Sequence, residues 1–179
     1  MRLLLLRHAK SDWSDAENTD DHDRPLSPRG REAAPRMGAY IQSHGYGPAL
    51  VLSSSARRTK ETVKLLLPQF VQRPDLRYTR ALYLAEWPSL LEEVRKVPSP
   101  SSPLLIVGHN PGMQQFALAL SLQPQSAAEK ARAQLLAQKF PTAALAVFDF
   151  EGADWSHVKP GAGRLADFMR PKDLPGTDS

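Results

Sequence analysis

The chain contains no cysteine and no long run of apolar residues. The absence of cysteine excludes disulfide bonds and thiolate chemistry, and it favours a cytoplasmic protein. The apolar run at residues 1–6 is shorter than a signal-peptide core or a membrane span, so we expect a soluble protein with no membrane association. The net charge is modestly positive, at +4, but no stripe of Lys and Arg predicts nucleic-acid binding.

A length of 179 residues predicts one compact domain, which we place at residues 1–170, followed by a C-terminal tail at 171–179. Short apolar runs at 3–6, 49–52, 104–107 and 144–150 indicate buried strands. Helical patterns separate them at 28–44, 56–67, 90–97, 111–120 and 127–138. This alternation predicts an α/β fold, a three-layer α/β/α sandwich with a mostly parallel central sheet.

Functional side chains follow three of the predicted strands. They are Arg7-His8, Ser53-Ser54-Ser55 leading to Arg57-Arg58, and Gly108-His109-Asn110. The carboxyl ends of parallel strands meet at one crevice, so we expect these groups to converge. Two histidines and at least two arginines without an acidic partner in the same motifs predict a phosphate site. Asn110 fits an N-cap and Pro111 the first helical position, and that helix N-terminus would add positive potential.

The three motifs together resemble those of the histidine phosphatase (phosphoglycerate mutase-like) superfamily. The match comprises Leu-Arg-His near the amino terminus, Ser54-x-Ala56-x-Arg58-x-x-x-Thr62 and Gly108-His109-Asn110. Residues 7–13, 23–30 and 140–143 further resemble the SixA-like phosphohistidine phosphatases. The similarity extends from residue 2 to about residue 172 and implies the fold of that superfamily. Ser55 stands where the family usually has proline, and Glu61 where it often has glutamine.

The resemblance implies a role for each matching residue. His8 would be the nucleophile and form a phosphohistidine intermediate, Arg7 and Arg58 would bind the phosphate oxygens, and His109 would complete the pocket and stabilise the transition state. Asn110, beside His109, is expected among the substrate-binding residues. No cofactor is implied, and no pair of histidines or carboxylates has metal-ligand spacing, so we expect no metal site.

Several other side chains are assigned plain structural roles. We expect His22, His44 and His157 to be surface residues, and Arg57 to be a solvated charge at the start of a helix. Trp13 fits either the pocket wall or a loop anchor. For Lys10, Arg24 and Arg29, positive potential at the entrance and a packing or capping role are equally consistent with the sequence.

The absence of an expected general acid indicates which leaving group the site can expel. Expelling an alkoxide calls for a general acid, and esterases and mutases of the superfamily usually carry a carboxylate after the mid-chain strand. In residues 78–90 the one carboxylate is Glu86, which we interpret as an exposed helix-start charge. Imidazole is a far better leaving group, with a pKa of about 6.5.

The leading hypothesis is therefore a metal-independent phosphatase acting on protein phosphohistidine. The second is a small-molecule phosphomonoesterase or mutase of the same fold, with Glu86 or a loop aspartate as the acid. The third is a non-catalytic module that binds phosphoproteins.

Overall fold

The computed structural model of the protein describes residues 1–15, 17 and 19–176. This part of the chain contains six strands and five helices. The strands are β1 (Arg2–Arg7), β2 (Leu50–Ser54), β3 (Asp75–Thr79), β4 (Leu104–Gly108), β5 (Leu145–Asp149) and β6 (Arg164–Met169). The helices are α1 (Pro28–Ser43), α2 (Arg57–Leu66), α3 (Trp87–Arg95), α4 (Gly112–Leu120) and α5 (Ala127–Gln138).

The strands form one mixed sheet in the order β3-β2-β4-β1-β5-β6. The first four of these are parallel, whereas β5 is antiparallel to both of its neighbours. The expected mostly parallel α/β fold is confirmed. Arg7 pairs with Gly108 in the register of β1 and β4, so these two strands end side by side at one edge of the sheet.

The central strand β1 is buried on both faces, which explains its unbroken apolar sequence. Leu3 and Leu5 pack in one core cluster with residues of α3, α4 and α5. Leu4 and Leu6 pack in a second cluster with residues of α1 and α2. The helices therefore cover both faces of the sheet, and the expected three-layer sandwich is confirmed.

Two helix starts were predicted, and one of them was wrong. Ser27 caps α1 as expected, with its Oγ accepting a hydrogen bond from the Gly30 backbone N–H, and Pro28 is the first helical residue. In contrast, α4 begins at Gly112, and Pro111 rather than Asn110 is its N-cap residue. The Asn110 side chain does not cap: its Oδ1 accepts no hydrogen bond from the described residues, and its Nδ2 donates to the Phe140 carbonyl at 3.0 Å.

The segment that we expected to be a tail packs against the domain along most of its described length. Residues Pro171–Asp173 form a 3-10 turn, and the Leu174 side chain is buried in the core cluster beneath α1 and α2. Arg36 of α1 donates to the carbonyl of Pro175. Residues 177–179 lie outside the described part of the chain. Among the described residues, no helix has the length and apolar character needed to cross a membrane.

Candidate active site

A cavity of about 690 Å³ opens at the edge of the sheet where β1 and β4 end. All five residues predicted for the site line it: Arg7, His8, Arg58, His109 and Asn110. Arg7 and His8 end β1 or follow it, His109 and Asn110 follow β4, and Arg58 lies in the first turn of α2, which follows β2. The parallel topology thus brings together side chains that are far apart in sequence, as carboxyl ends of such strands do.

His8 is held as a neutral imidazole with one nitrogen available. Its Nδ1 lies 2.7 Å from the carbonyl oxygen of Ala9, which can only accept, so Nδ1 carries the proton and Nε2 keeps its lone pair. Burial, together with the charges of Arg58 and Arg7, lowers the pKa of His8 to about 3 against the opposing effect of the Ala9 hydrogen bond. His8 is therefore unprotonated at neutral pH, as a nucleophile must be.

Arg58 is the most deeply buried charge of the cavity, with 2% of its surface exposed. Its Nη2 donates to a carboxylate oxygen of Asp21 at 2.9 Å and lies 3.2 Å from Nδ1 of His109. Its Nη1 donates to the Asp21 carbonyl. Three acceptors therefore fix the guanidinium in one orientation, while its Nε has no partner among the described residues.

The tautomer of His109 follows from its contact with Arg58. A guanidinium can only donate, so Nδ1 of His109 accepts and its Nε2–H donates to the hydroxyl of Ser54 at 2.8 Å. Its ring centroid lies 5.2 Å from that of His8. Burial lowers the pKa of His109 to about 2, with His8 and Arg58 adding to the effect. The cavity thus contains two neutral imidazoles.

Arg7 and Asn110 share one backbone acceptor. Nη1 of Arg7 and Nδ2 of Asn110 both donate to the carbonyl of Phe140, each at 3.0 Å. This contact orients the Arg7 guanidinium and leaves its buried Nε without a partner in the described part of the chain. Burial, followed by the charge of Arg58, lowers the pKa of Arg7. Substrate binding by Asn110 stays a prediction.

The sequence left the role of Arg24 open, and the structure places it inside the cavity. It is 6% exposed and lies beneath the ring of Trp13, 3.4 Å from the ring centroid. Its Nη2 pairs with Asp21 at 2.5 Å, whereas its Nε and Nη1 have no partner among the described residues. Its position directly after the aspartate-rich loop was the available signal. Trp13 itself lines the cavity and therefore forms part of its wall.

Asp21 links the arginines and was not singled out from the sequence. Its carboxylate binds Arg24, Arg58 and the hydroxyl of Tyr83, the last at 2.7 Å. Desolvation acts to raise the pKa of Asp21, but the Tyr83 hydrogen bond and the Arg58 charge outweigh it and lower the pKa overall. Asp21 is therefore an ionised carboxylate, the one acidic side chain among the described residues that line the cavity.

The structure also shows where the residues lie that were assigned surface or structural roles. His22 is not simply a surface residue: its Nε2 lies 2.9 Å from the hydroxyl of Ser55, the residue that replaces the usual proline, and its ring packs against Tyr83. Arg57 is half exposed and pairs with Glu61, as expected of a solvated charge. Glu86 precedes α3 and lies outside the cavity lining.

The geometry describes a site for a tetrahedral anion. Four buried guanidinium nitrogens, from Arg7, Arg24 and Arg58, have no acceptor in the described part of the chain. All three arginines line the cavity, so charge-assisted hydrogen bonds from their guanidinium groups would favour a bound anion. The same guanidinium groups would stabilise charge that develops during phosphoryl transfer.

Comparisons with known proteins agree with this interpretation. Residues 3–87 match the family model of the histidine phosphatase superfamily (branch 1). An uncharacterized protein of Mycobacterium tuberculosis is 36% identical over 93% of this chain and 100% of its own length. Two solved structures carry the name phosphohistidine phosphatase SixA. That from Agrobacterium tumefaciens is 30% identical, with a TM-score of 0.77 over 95% of this chain and 97% of its own. That from Nakamurella multipartitia is 28% identical, with a TM-score of 0.80 over 95% of each chain.

Proposed function

Because the chain belongs to the histidine phosphatase superfamily, we propose that it removes the phosphoryl group from protein phosphohistidine through a covalent intermediate on His8. The observation that carries the proposal is the free Nε2 of a neutral His8, held by the Ala9 carbonyl in a cavity lined by the guanidinium groups of Arg7, Arg24 and Arg58. Nucleophile and anion site occupy the same 690 Å³ cavity. Membership in the superfamily supports phosphatase activity independently of this geometry.

The reaction proceeds in two displacements at phosphorus. In the first, Nε2 of His8 attacks while the bond between phosphorus and the substrate imidazole breaks. A substrate ring that carries a proton on its other nitrogen leaves as neutral imidazole with the bonding electron pair. In the second, water attacks, the electron pair returns to Nε2, and both water protons leave with the product H2PO4⁻. The arginines bind the phosphoryl oxygens in both steps.

The choice of substrate rests on the acidity of the cavity groups. A phosphate ester needs a proton donor at its bridging oxygen, because an alkoxide is a poor leaving group. Asp21 is held ionised by Tyr83 and the arginines, and both cavity imidazoles are neutral. None of these groups carries a readily donated proton at neutral pH. A leaving imidazole with a pKa of about 6.5 requires no such donor.

An assay of three substrates with metal-free enzyme tests the proposal. A phosphohistidine protein, a sugar phosphate and an aryl phosphate are compared by phosphate release in the presence of EDTA. We expect kcat/KM for phosphohistidine to exceed that for the sugar phosphate by at least about 100-fold, as loss of general-acid catalysis predicts. Equal turnover of the sugar phosphate, or loss of activity with EDTA, would contradict it.

A small-molecule phosphomonoesterase or mutase is the second candidate, and the position of Asp21 is the observation that favours it. If Asp21 or Glu86 donates a proton to a leaving alkoxide, Asp21→Asn or Glu86→Gln should reduce ester hydrolysis by about 100-fold or more. An aryl phosphate with a good leaving group provides the control, since it should be much less affected. A phosphoprotein-binding module, the third candidate, would bind phosphohistidine peptide without releasing phosphate.

A further inference from the structure

We propose that the mouth of the active-site cavity binds acidic residues that surround the phosphohistidine on a protein substrate. This inference rests on the proposed function and specifies its substrate class. Three exposed cations, Lys10, Arg29 and Lys139, lie at the mouth and are here called the basic rim. None of the three forms an ion pair with any residue that the structure describes.

The positive charge is concentrated at this cavity. Eight of the 23 Lys and Arg residues line it, but one of the 19 Asp and Glu residues does. The remaining 15 cations are outnumbered by 18 acidic residues, so the rest of the chain is slightly negative. The modest net charge of the sequence therefore conceals a strong local field, which attracts acidic ligands and raises their association rate.

The helix dipole disfavours a cation at the position of Arg29. Arg29 is the second residue of α1, where the positive end of the helix dipole disfavours a cation, and the first turn contains no acidic residue. A cation in that position costs a few tenths of a kcal/mol, up to about 1 kcal/mol, in the absence of a ligand. An acidic partner would convert this local cost into binding affinity.

Close packing fixes Lys10 and Arg29 relative to each other. The carbonyl of Lys10 accepts hydrogen bonds from the backbone N–H of Ser27 at 2.9 Å and from its hydroxyl at 3.0 Å. A Cβ on Gly30 would lie 2.1 Å from the same carbonyl, so the start of α1 reaches this distance only with glycine. The main chain at Lys10 is therefore held in contact with the start of α1, from which Arg29 extends.

The cavity mouth also exposes apolar surface that suits a protein. Trp13 is 65% exposed and Leu84 is 52% exposed, and both line the same cavity. Exposed tryptophan and arginine side chains such as Trp13 and Arg29 are enriched at protein interfaces. A single phosphate needs only the buried arginines, so the rim and these apolar groups are left to contact its carrier.

Peptides with controlled charge test the inference. Three synthetic peptides contain one histidine flanked by Asp and Glu, by Ser and Gly, or by Lys, and each is phosphorylated with phosphoramidate. We expect kcat/KM for the acidic peptide to exceed that for the neutral one by about tenfold at low salt. Screening should remove most of the difference in about 0.5 M KCl. Phosphoramidate itself serves as the substrate that is too small to contact the rim.

Two triple variants distinguish an effect of the basic rim from an effect of the net charge of the protein. In K10E/R29E/K139E we expect the preference for the acidic peptide, measured as the ratio of kcat/KM for the acidic and neutral peptides, to disappear. Phosphoramidate reports the general loss of anion association that this ratio divides out. The control R73E/R77E/K159E makes the same change in net charge at exposed residues outside the cavity lining, and it should keep the preference.

Equal kcat/KM for the acidic and basic peptides, or an equal loss of preference in both variants, would overturn this inference alone. Failure to release phosphate from any phosphohistidine probe, with hydrolysis of p-nitrophenyl phosphate retained, would overturn the proposed function and this inference with it.

Discussion

Two cavities of similar volume lie at opposite ends of the parallel strands. The active-site cavity measures about 690 Å³, and the second cavity, lined by Met1, Asp149, Asp154, His157 and Arg164 among others, measures about 730 Å³. In the second cavity Arg164 pairs with Asp149 at 2.8 Å, and His157 lies 3.7 Å from Asp154. In the first, buried guanidinium nitrogens have no acceptor among the described residues. Volume does not distinguish the cavities, whereas burial of the guanidinium groups does: the side chains of Arg24 and Arg58 are 7% and 2% exposed, and that of Arg164 is 53% exposed.

The largest expected difference between the cavities concerns their histidines. His8→Ala should lower phosphatase activity by at least about 1,000-fold, because loss of a nucleophile leaves only the binding contribution to catalysis. His157→Ala in the second cavity should change activity by less than about twofold. Steady-state phosphate release, with circular dichroism as a check of folding, measures both. Comparable activity in the His8→Ala variant and the wild type would show that His8 is no more important for catalysis than His157.

The buried imidazoles should also make stability depend on pH. His8 and His109 have pKa values lowered to about 3 and about 2, so the unfolded chain binds two protons that the folded chain excludes as the pH falls below about 6.5. The free energy of unfolding should therefore decrease by roughly 4 kcal/mol between about pH 7 and pH 5. Urea denaturation measures this change.

Glutamine variants supply the control for that titration. His8→Gln and His109→Gln should each remove about half of the dependence on pH, since glutamine does not ionise in this range. An undiminished slope in the double variant His8→Gln/His109→Gln would show that other groups cause it.

The arginines provide a third contrast. Arg58→Met should lower kcat/KM by about 100-fold or more, because it removes a guanidinium that is held in place by Asp21 and His109 in a water-poor site. Arg164→Met, which removes a guanidinium already neutralised by Asp149, should change kcat/KM by less than about twofold. Similar losses in both variants would indicate a general effect on folding, which thermal denaturation would detect.

The smallest effect is expected for Asp21→Asn. This substitution should change the affinity for phosphate. Asp21→Asn removes the negative charge that opposes anion binding but keeps a side chain of the same shape beside Arg24 and Arg58. We expect inorganic phosphate to inhibit this variant about fivefold more tightly, consistent with removal of one charge at partial solvent screening. Asp154→Asn in the second cavity should leave phosphate inhibition unchanged. Weaker inhibition of Asp21→Asn would mean that positioning of the arginines outweighs the charge.

The sequence predicted the parts of the site that follow buried strands. The ends of β1 and β4 were visible because apolar runs stop abruptly at Arg7 and Gly108, and parallel pairing then requires that the following histidines lie close together. Ser27 and Pro28 predicted the start of α1 because an N-cap is a local interaction. The fold and the core of the site were therefore readable from local pattern and strand order.

The errors and omissions involve contacts between distant segments. Asn110 has the preferred residue type for an N-cap, but its amide bonds to Phe140, which is 30 residues away. Arg24 and Tyr83 both bind Asp21, and these contacts join loops without hydrophobic periodicity. His22 was assigned to the surface for the same reason, because its contact with Ser55 depends on how the loop folds back. Such contacts are set by tertiary packing, and no spacing in the sequence encodes them.

The hydrogen bond from Nδ1 of His8 to the Ala9 carbonyl determines which isomer a trapped intermediate would be. With Nδ1 facing the main chain, a phosphoryl group can be attached only at the remote ring nitrogen, which gives the tele isomer, 3-phosphohistidine. Antibodies and two-dimensional ³¹P–¹H spectra both discriminate this isomer from 1-phosphohistidine. Labelling of the enzyme would therefore report the ring orientation of His8 directly, without a crystal.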